Sequence, residues 1–195
     1  MSQTATPPSA IERAVASELA QIPDPEMPIS IVELGLLHEI RVRRADPTDV
    51  NPESSDHVVE IDLLPTFVGC PALDMIRSEV TRRIGALPGV ARVHVQFRFD
   101  PPWSIDRISP AGLERLRQFG VTAPPRNDPR ASGGCSGGVA APGAPELLDL
   151  TVPSASCPFC GASQTRRTSR FGPTRCKMIY YCDACKNTFE QLRPL

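Results

Sequence analysis

Four cysteines near the C-terminus have the spacing of a metal site. Cys157 and Cys160 form one Cys-x-x-Cys pair, and Cys182 and Cys185 form a second. Each pair can turn two thiolates toward one point, so two pairs can complete a tetrahedron around Zn²⁺. Gly161, directly after the first pair, suits the positive φ of such a turn. The spacing predicts a structural Cys₄ zinc ribbon over residues 157–195.

Other uses of these cysteines are less consistent with the sequence. The N-terminus has no apolar signal segment, which disfavours disulfides, and a redox Cys-x-x-Cys usually occurs once, beside a βαβ pattern. Iron is the serious alternative to zinc because four thiolates accept either metal. Cys157-Pro-Phe-Cys160-Gly resembles a rubredoxin knuckle, so an iron-binding electron carrier stays open. Cys176 lies outside both pairs and is not predicted to be a ligand.

A second candidate site lies in the segment Thr66-Phe-Val-Gly-Cys70-Pro71. It joins a predicted strand to a predicted helix, and Pro71 suits the first helical position, which puts Cys70 at or near the N-cap. Backbone N–H groups and the helix dipole stabilise an anion there, so a thiolate at Cys70 is favoured. A lone cysteine is more often a small buried residue. The position favours a reactive or metal-binding thiol.

Two acids lie in a third segment, Pro23-Asp24-Pro25-Glu26-Met27-Pro28. The prolines hold the segment extended at little entropic cost, so Asp24 and Glu26 project from a preset backbone. One interpretation makes them ordinary turn and capping acids. The other places them near Cys70 as supporting carboxylates for a metal or a proton. Spacing alone leaves both interpretations open.

The remaining pattern predicts an α+β domain that positions these segments. Ser9 and Glu12 form a capping box before a first helix, and residues 71–86 and 110–119 have the apolar period of two further helices. Residues 36–43, 58–63 and 92–99 alternate as three strands, the second of them half-buried. Expected core positions include Leu113, Leu116 and Phe119 on the last helix. These elements predict a small three-stranded sheet covered on one face by helices.

Composition separates this domain from the ribbon. Residues 122–156 are rich in proline, glycine and alanine and predict a flexible linker, in which Cys135 has no expected role. The predicted domains are therefore residues 9–121 and 157–195. Trp103, after Asp100-Pro101-Pro102, fits either a surface anchor for a partner or core packing. We interpret Asp74 as an acid in the first turn of its helix. We interpret the three histidines, His38, His57 and His94, as ordinary sheet residues.

Charge and motifs exclude several functions. The net charge is −1 over 195 residues, which gives no whole-chain case for nucleic-acid binding, although the ribbon carries several basic residues. No apolar run reaches the length of a membrane span. Seven cysteines without an export signal predict a cytoplasmic protein. No nucleophile elbow, Walker loop or GxGxxG motif is present, so a self-contained enzyme is not expected.

The motifs together resemble known families. Asp24-Pro25-Glu26, the stretch Ile31–Leu37 and Thr66–Pro71 resemble the MIP18-type (SufT-like) domain of iron–sulfur assembly factors. With Pro101-Pro-Trp-Ser104, Phe171–Lys177 and the two knuckles, nearly the whole chain is similar to the PaaD (PaaJ) family. That family belongs to the phenylacetyl-CoA epoxidase (phenylacetate-CoA oxygenase) system of bacteria.

The resemblance implies a non-catalytic maturation factor for the epoxidase complex of aerobic phenylacetate degradation. Cys70 would contact iron or a transient iron–sulfur cluster, Asp24 and Glu26 would support it, and Thr66 would donate a hydrogen bond. The expected partners are epoxidase subunits and iron–sulfur assembly proteins, with neither nucleic acid nor membrane. A cluster on one Cys70 needs further ligands, which favours a homodimer. A structural subunit of the oxygenase is the remaining alternative.

The sequence also limits what this chain can be within such a system. A di-iron oxygenase of the four-helix type needs repeated Glu-x-x-His ligands, and three histidines cannot supply them. The chain is therefore expected to assist an oxygenase and not to be one.

Overall fold

The computed structural model describes residues 9–46, 57–67, 69–124 and 155–193. The chain forms two compact units that meet in the sequence at Arg115 and Leu116. Most of the predicted linker, including Cys135, lies outside the described residues. The predicted domain bounds therefore stay predictions.

The first unit contains the predicted α+β domain. Its elements are α1 (Ala10–Leu19), β1 (Leu37–Arg44), β2 (His57–Leu63), α2 (Ala72–Gly85) and β3 (Val90–Phe97). A 3₁₀ turn (Ile105–Arg107) precedes α3 (Pro110–Gln118), within which the two units divide. The sheet has the order β1-β2-β3, with β1 antiparallel and β3 parallel to the central β2. The predicted fold class is confirmed.

The capping box fixes the start of α1. The Ser9 hydroxyl accepts from the Glu12 N–H at 3.2 Å, and the Glu12 carboxylate accepts from the Ser9 N–H at 2.6 Å. Val15, Leu19 and Ile22 are then fully buried, as the apolar stripe predicts. The core of this unit is centred on β2 and α2, where Ile61, Leu63, Ile76, Val80 and Ile84 are fully or nearly fully buried.

Trp103 belongs to this core. Its side chain is 4% exposed, and its indole N–H donates to the carbonyl of Leu34 at 3.0 Å. Arg107 donates to the carbonyls of Gly35 and Leu37 at 2.8 and 2.7 Å. Of the two interpretations of Trp103, core packing is confirmed, and the surface anchor is wrong.

The prediction that β2 is half-buried was wrong. Val58 is fully buried and Asp62 is 2% exposed, although both face away from the helices. The reason is that β2 is the central strand, so side chains of both neighbours cover it. Arg41 and Arg98 close over Asp62, with their N–H groups 2.9 to 3.3 Å from Oδ2.

The predicted burial of Phe119 and the predicted end of the third strand at residue 99 were also wrong. Phe119 is 69% exposed because α3 ends at Gln118, and Gly120, with φ of 77°, turns the chain out of the helical period. Phe99 is 52% exposed because β3 ends at Phe97, before the cis Asp100–Pro101 peptide. Of the other two predicted core residues of α3, Leu116 is fully buried and Leu113 is half-buried.

The second unit is a four-stranded sheet. Its strands are β4 (Val121–Thr122), β5 (Thr165–Ser169), β6 (Lys177–Cys182) and β7 (Thr188–Leu192), in the order β4-β7-β6-β5. β6 ends at Cys182 and β7 begins at Thr188, so the two strands flank the second cysteine pair. β4 lies within the region expected to belong to the first domain and its linker, and it pairs in parallel with β7. The small core packs Tyr180 on Phe189, with ring centroids 5.6 Å apart.

Candidate functional site

Cys70 lies in the loop between β2 and α2 and is half-buried. Its N–H donates to the carbonyl of Phe67, and its own carbonyl accepts from the N–H of Leu73, both at 3.3 Å. Pro71 is the N-cap and already has helical φ and ψ of −66° and −18°. The thiol therefore lies at the entrance of α2, one residue before the N-cap, within one residue of the predicted position.

Glu26 meets this thiol from a distant part of the chain. The Sγ atom of Cys70 lies 3.8 Å from Oε2 of Glu26, and both side chains are half-buried. A thiol is a weak hydrogen-bond donor, and a carboxylate at this distance can accept its proton or share a metal with the resulting thiolate. The proximity that the sequence left open is thus present for Glu26.

Asp24 plays a different part in the same segment. Its Oδ1 accepts from the N–H of Glu26 at 2.9 Å, and its own N–H donates to the carbonyl of Ile29 at 2.9 Å. Such a bond to the residue two positions on is an Asx turn, which fixes the local backbone. Asp24 therefore holds the backbone of Glu26. Thr66 is half-buried four residues before Cys70, and its part in the site stays a prediction.

A cavity of about 430 Å³ opens beside the Glu26 segment. Its lining is mainly apolar and comes from the proline segment and α2. The lining residues are Pro23, Pro25, Met75, Ile76, Ser78, Glu79 and Arg82. Sequence reasoning did not find this cavity, since nothing in the α2 pattern shows that Met75 stays exposed.

The four C-terminal cysteines converge as predicted. Their sulfur atoms all lie within 4.8 Å of one another, and the pairs Cys157–Cys185 and Cys160–Cys182 are 3.6 Å apart. A tetrahedral ion with Zn–S bonds of about 2.3 Å separates its sulfurs by about 3.8 Å. The thiol set therefore fits one zinc-sized ion, with no oxygen or nitrogen ligand needed to complete it.

The two knuckles have matching backbone bonds. In the first, Cys157 N–H donates to Ala162 O, and Gly161 N–H donates to Cys157 O, each at 2.9 Å. In the second, Cys182 pairs in the same way with Asn187 and Lys186, again at 2.9 Å. The turns need a left-handed residue, so φ is 74° at Gly161 and 63° at Lys186.

The sequence analysis missed Lys186 and Asn187. The amide of the Asn187 side chain donates to Sγ of Cys185 at 3.5 Å. A hydrogen bond from the backbone N–H of Asn187 is the main reason why the pKa of Cys185 is lowered to about 6. For Cys160, the Ala162 N–H lowers the pKa, but burial and the neighbouring Cys182 thiol together raise it to about 12. The equivalent spacing of the two knuckles was the available signal for both residues.

Cys176 does not join this cluster among the described residues. It is buried, with its Sγ 3.2 Å from the hydroxyl of Thr174. The predicted cluster of Cys157, Cys160, Cys182 and Cys185 is confirmed by the geometry of these four residues.

Two family models match separate parts of the chain. Residues 12–95 match the family described as "Iron-sulfur cluster assembly protein", and residues 142–193 match the "PaaD zinc beta ribbon domain". Residues 12–95 are thus similar to an iron–sulfur cluster assembly domain, and residues 142–193 to a PaaD zinc ribbon. The first domain contains Glu26 and Cys70, and the second contains all four cysteines of the cluster.

Two curated relatives and one solved structure are similar to this chain. A protein of Escherichia coli (strain K12), provisionally named as a subunit of 1,2-phenylacetyl-CoA epoxidase, is 29% identical over 97% of this chain and 96% of its own. The "Fe-S protein maturation auxiliary factor YitW" of Bacillus subtilis (strain 168) is 29% identical over 51% of this chain and 87% of its own. A crystal structure of a domain of unknown function from Bacillus anthracis is 30% identical and covers 53% of this chain and 88% of that chain, with a TM-score of 0.42.

In the described part of the chain, no helix is both long enough and apolar enough to cross a membrane. The three histidines lie on strands of the first sheet, as predicted. His57 places Nδ1 3.3 Å from the carbonyl of Gly89, while His38 and His94 are exposed.

Proposed function

We propose that this protein is a non-catalytic accessory factor that delivers iron or an iron–sulfur cluster during maturation of phenylacetyl-CoA epoxidase. Cys70 holds the cargo transiently, Glu26 accepts the thiol proton as the cargo binds, and Asp24 positions Glu26. Zinc held by Cys157, Cys160, Cys182 and Cys185 stabilises the ribbon and takes no part in the transfer. The reducing cytoplasm, where thiolates persist, suits both sites.

The observation that carries this proposal is the approach of the Glu26 carboxylate to the Cys70 thiol. A buried structural cysteine needs no acid beside it, whereas a thiol that must bind a metal needs a proton acceptor. The Bacillus subtilis relative is named as a maturation factor for Fe-S proteins, which supports iron or an iron–sulfur cluster as the cargo. The name of the Escherichia coli relative supports the epoxidase as client.

Binding of the cargo should also change the oligomeric state of the protein. One cysteine and one carboxylate leave a cluster short of ligands, so a second copy or an assembly protein completes its coordination. We therefore expect the loaded protein to sediment as a homodimer, or as a complex with its donor, and the empty protein to release that partner.

The test replaces Cys70 with Ala in cells that have no other copy. We expect epoxidase activity to be lost while circular dichroism of the purified variant stays that of the wild type. Protein purified without oxygen should contain about one zinc per chain in both forms, with iron and acid-labile sulfide in the wild type alone. Cys176→Ala, which removes a buried thiol outside both sites, is the matched control and should keep full activity.

Normal epoxidase activity with Cys70→Ala would contradict the proposal. A second candidate, an electron carrier, is favoured by the four-thiolate geometry, which accepts iron as well as zinc. Red protein with iron and no zinc in both the wild type and Cys70→Ala would establish that candidate instead. A structural subunit would co-purify with the oxygenase in fixed stoichiometry.

A further inference from the structure

β3 is an open edge of the first unit's sheet. It is the last strand in the order β1-β2-β3, and in the described part of the chain it pairs with no strand other than β2. Its eight residues run parallel to β2, in unbroken register from Arg92 to Phe97. Unpaired N–H and C=O groups along such a strand form a template for pairing with another chain.

The other edge of this sheet is protected, and β3 is not. β1 has an irregularity between Leu37 and Glu39, and Arg41 on it is bound by Glu39 and Glu60. Irregular register and alternating charges are the usual means of blunting an edge strand. β3 has neither proline nor a break in register beyond its first pair, and it carries no acid.

The apolar side of β3 is incompletely covered. Val93, Val95 and Phe97 face the helices, yet each is half-buried, whereas Val59, Ile61 and Leu63 beside them on β2 are fully buried. An added strand with apolar side chains on that side would extend the sheet under the same helices. This pattern favours strand addition over a purely electrostatic contact.

Charge identifies the kind of strand that fits. The chain from Gly85 to Phe99 contains no acid, while Arg92, His94 and Arg98 are exposed along its outer face. Directly opposed like charges destabilise a strand pair and opposite charges stabilise it. A second copy of β3 would add another acid-free strand with Arg92 on its outer face and would supply no opposite charge, so self-pairing is disfavoured.

We propose that β3 is a docking edge for an extended segment of a partner protein in which acidic and apolar residues alternate. The acids lie beside Arg92 and His94, and the apolar residues continue the row of Val93, Val95 and Phe97. Main-chain hydrogen bonds supply affinity and the charges supply selectivity. This surface goes beyond the proposed function, since it includes neither Cys70 nor the cysteine cluster.

The test uses the full-length protein and a fluorescent eight-residue peptide that alternates Glu and Val. We expect saturable binding by fluorescence anisotropy, and slower hydrogen exchange in residues 90–97 when the peptide is present. Arg92→Glu with His94→Glu should weaken binding at least tenfold. Arg44→Glu, an exposed reversal on the other edge strand, and Cys70→Ala should change it less than twofold. The neutral pair Arg92→Gln with His94→Gln serves if the reversed variant fails to fold.

Three further probes separate strand pairing from simple charge. A peptide with N-methylated alternate amides keeps its charges and loses its ladder bonds, so it should not bind. A peptide of the same length that alternates Lys and Val should not bind either. Equal binding of the N-methylated peptide, competition by a single-stranded oligonucleotide, or equal loss in Arg44→Glu would overturn the proposal. Self-association through β3 that the acidic peptide cannot displace would also overturn it.

Discussion

The thiol of Cys70 and the carboxylate of Glu26 lie 3.8 Å apart although 44 residues separate them in the chain. The approach depends on two local structures that form independently. The Asx turn of Asp24 fixes the backbone of Glu26, and the turn from Phe67 to Cys70 brings the thiol to the start of α2. Both turns are made by backbone groups and by Asp24, so we expect changes to the side chains of Glu26 and Cys70 to leave the turns in place.

The first prediction concerns this carboxylate. Glu26→Gln keeps the shape of the side chain but removes its negative charge and its ability to accept the thiol proton. We expect iron and sulfide content after anaerobic purification to fall several-fold, with the free energy of unfolding changed by less than about 0.5 kcal/mol.

Asp74→Asn is the matched control for Glu26→Gln. Asp74 is also acidic and lies in the first turn of α2, but it is exposed and paired with Arg77 at 3.2 Å. It should leave iron content unchanged. An equal loss in both variants would mean that general negative charge near the helix, and not the Glu26–Cys70 contact, retains the cargo.

Local patterns predicted the parts of the site, while their assembly depended on long-range contacts. The knuckles, the capping box of Ser9 and Glu12, and the loop at Cys70 each have a short-range signature with a physical cause. The pairing of Glu26 with Cys70 has none, because the sequence does not state how two loops 44 residues apart meet. The sequence left two interpretations open for both acids, and only the structure separates the turn-forming Asp24 from Glu26, which approaches the thiol.

The errors in the fold have the same origin. Asp62 alternates with apolar residues and so was expected to face solvent, but burial depends on the strand's neighbours. A central strand lets Arg41 and Arg98 close over it, and strand order is not encoded in the alternation. Phe119 fits the helical period of α3 and was therefore expected in the core. It lies one residue beyond the end of α3, next to Gly120, whose positive φ turns the chain away from the helix.

A second prediction follows from the left-handed residues of the knuckles. At Gly161 no atom lies within 4 Å of an added Cβ, so Gly161→Ala should cost about 1–2 kcal/mol from backbone strain alone. At Lys186, φ is 63° with a side chain present, so Lys186→Gly should raise the stability of the zinc-loaded ribbon by about 0.5–1 kcal/mol.

Thermal unfolding followed by tyrosine signal measures both changes in the ribbon. Lys186→Ala removes the same side chain but keeps a Cβ at positive φ, so it should give no such gain. If Lys186→Ala stabilises as much as Lys186→Gly, the cause is the loss of the lysine side chain and not the backbone.

The third prediction concerns the buried carboxylate of Asp62. Burial raises its pKa, but the hydrogen bonds and charges of Arg41 and Arg98 outweigh burial and leave the pKa below the ordinary value of 3.8. A carboxyl whose pKa is lower in the folded state stabilises the protein above the unfolded pKa. That stabilisation is lost as the pH falls through the folded pKa.

Asp62→Asn should therefore destabilise the first unit by about 1–3 kcal/mol at neutral pH. Urea unfolding followed through Trp103 at about pH 7 and about pH 3 should show the difference from the wild type narrowing at the lower pH. Glu60→Gln, on the same strand but a third exposed, should cost less than about 1 kcal/mol. A constant difference across this pH range would mean that Asp62 acts through packing and not through its charge.

The last prediction uses the distribution of the aromatic residues. The single tryptophan, Trp103, is buried in the first unit, and both tyrosines, Tyr180 and Tyr181, lie on β6 of the ribbon. The ribbon core is small and includes Cys157 and Cys182, two of the four candidate ligands, so we expect the core to be lost without the metal. Removing zinc with a strong chelator should abolish the near-ultraviolet signal of the tyrosines.

The emission of Trp103 should stay unchanged in the same sample, because Trp103 and its partner Leu34 belong to the first unit, whereas the four clustered cysteines belong to the second. Cys176→Ser should still bind one zinc per chain, since its thiol lies outside the cluster, whereas Cys182→Ser should bind zinc weakly and show the tyrosine signal of the chelated protein. A chelator that shifts Trp103 together with the tyrosines would show that zinc supports the fold of both units. Tyrosine signals that survive full zinc removal would mean that Tyr180 and Phe189 hold the ribbon together without the metal.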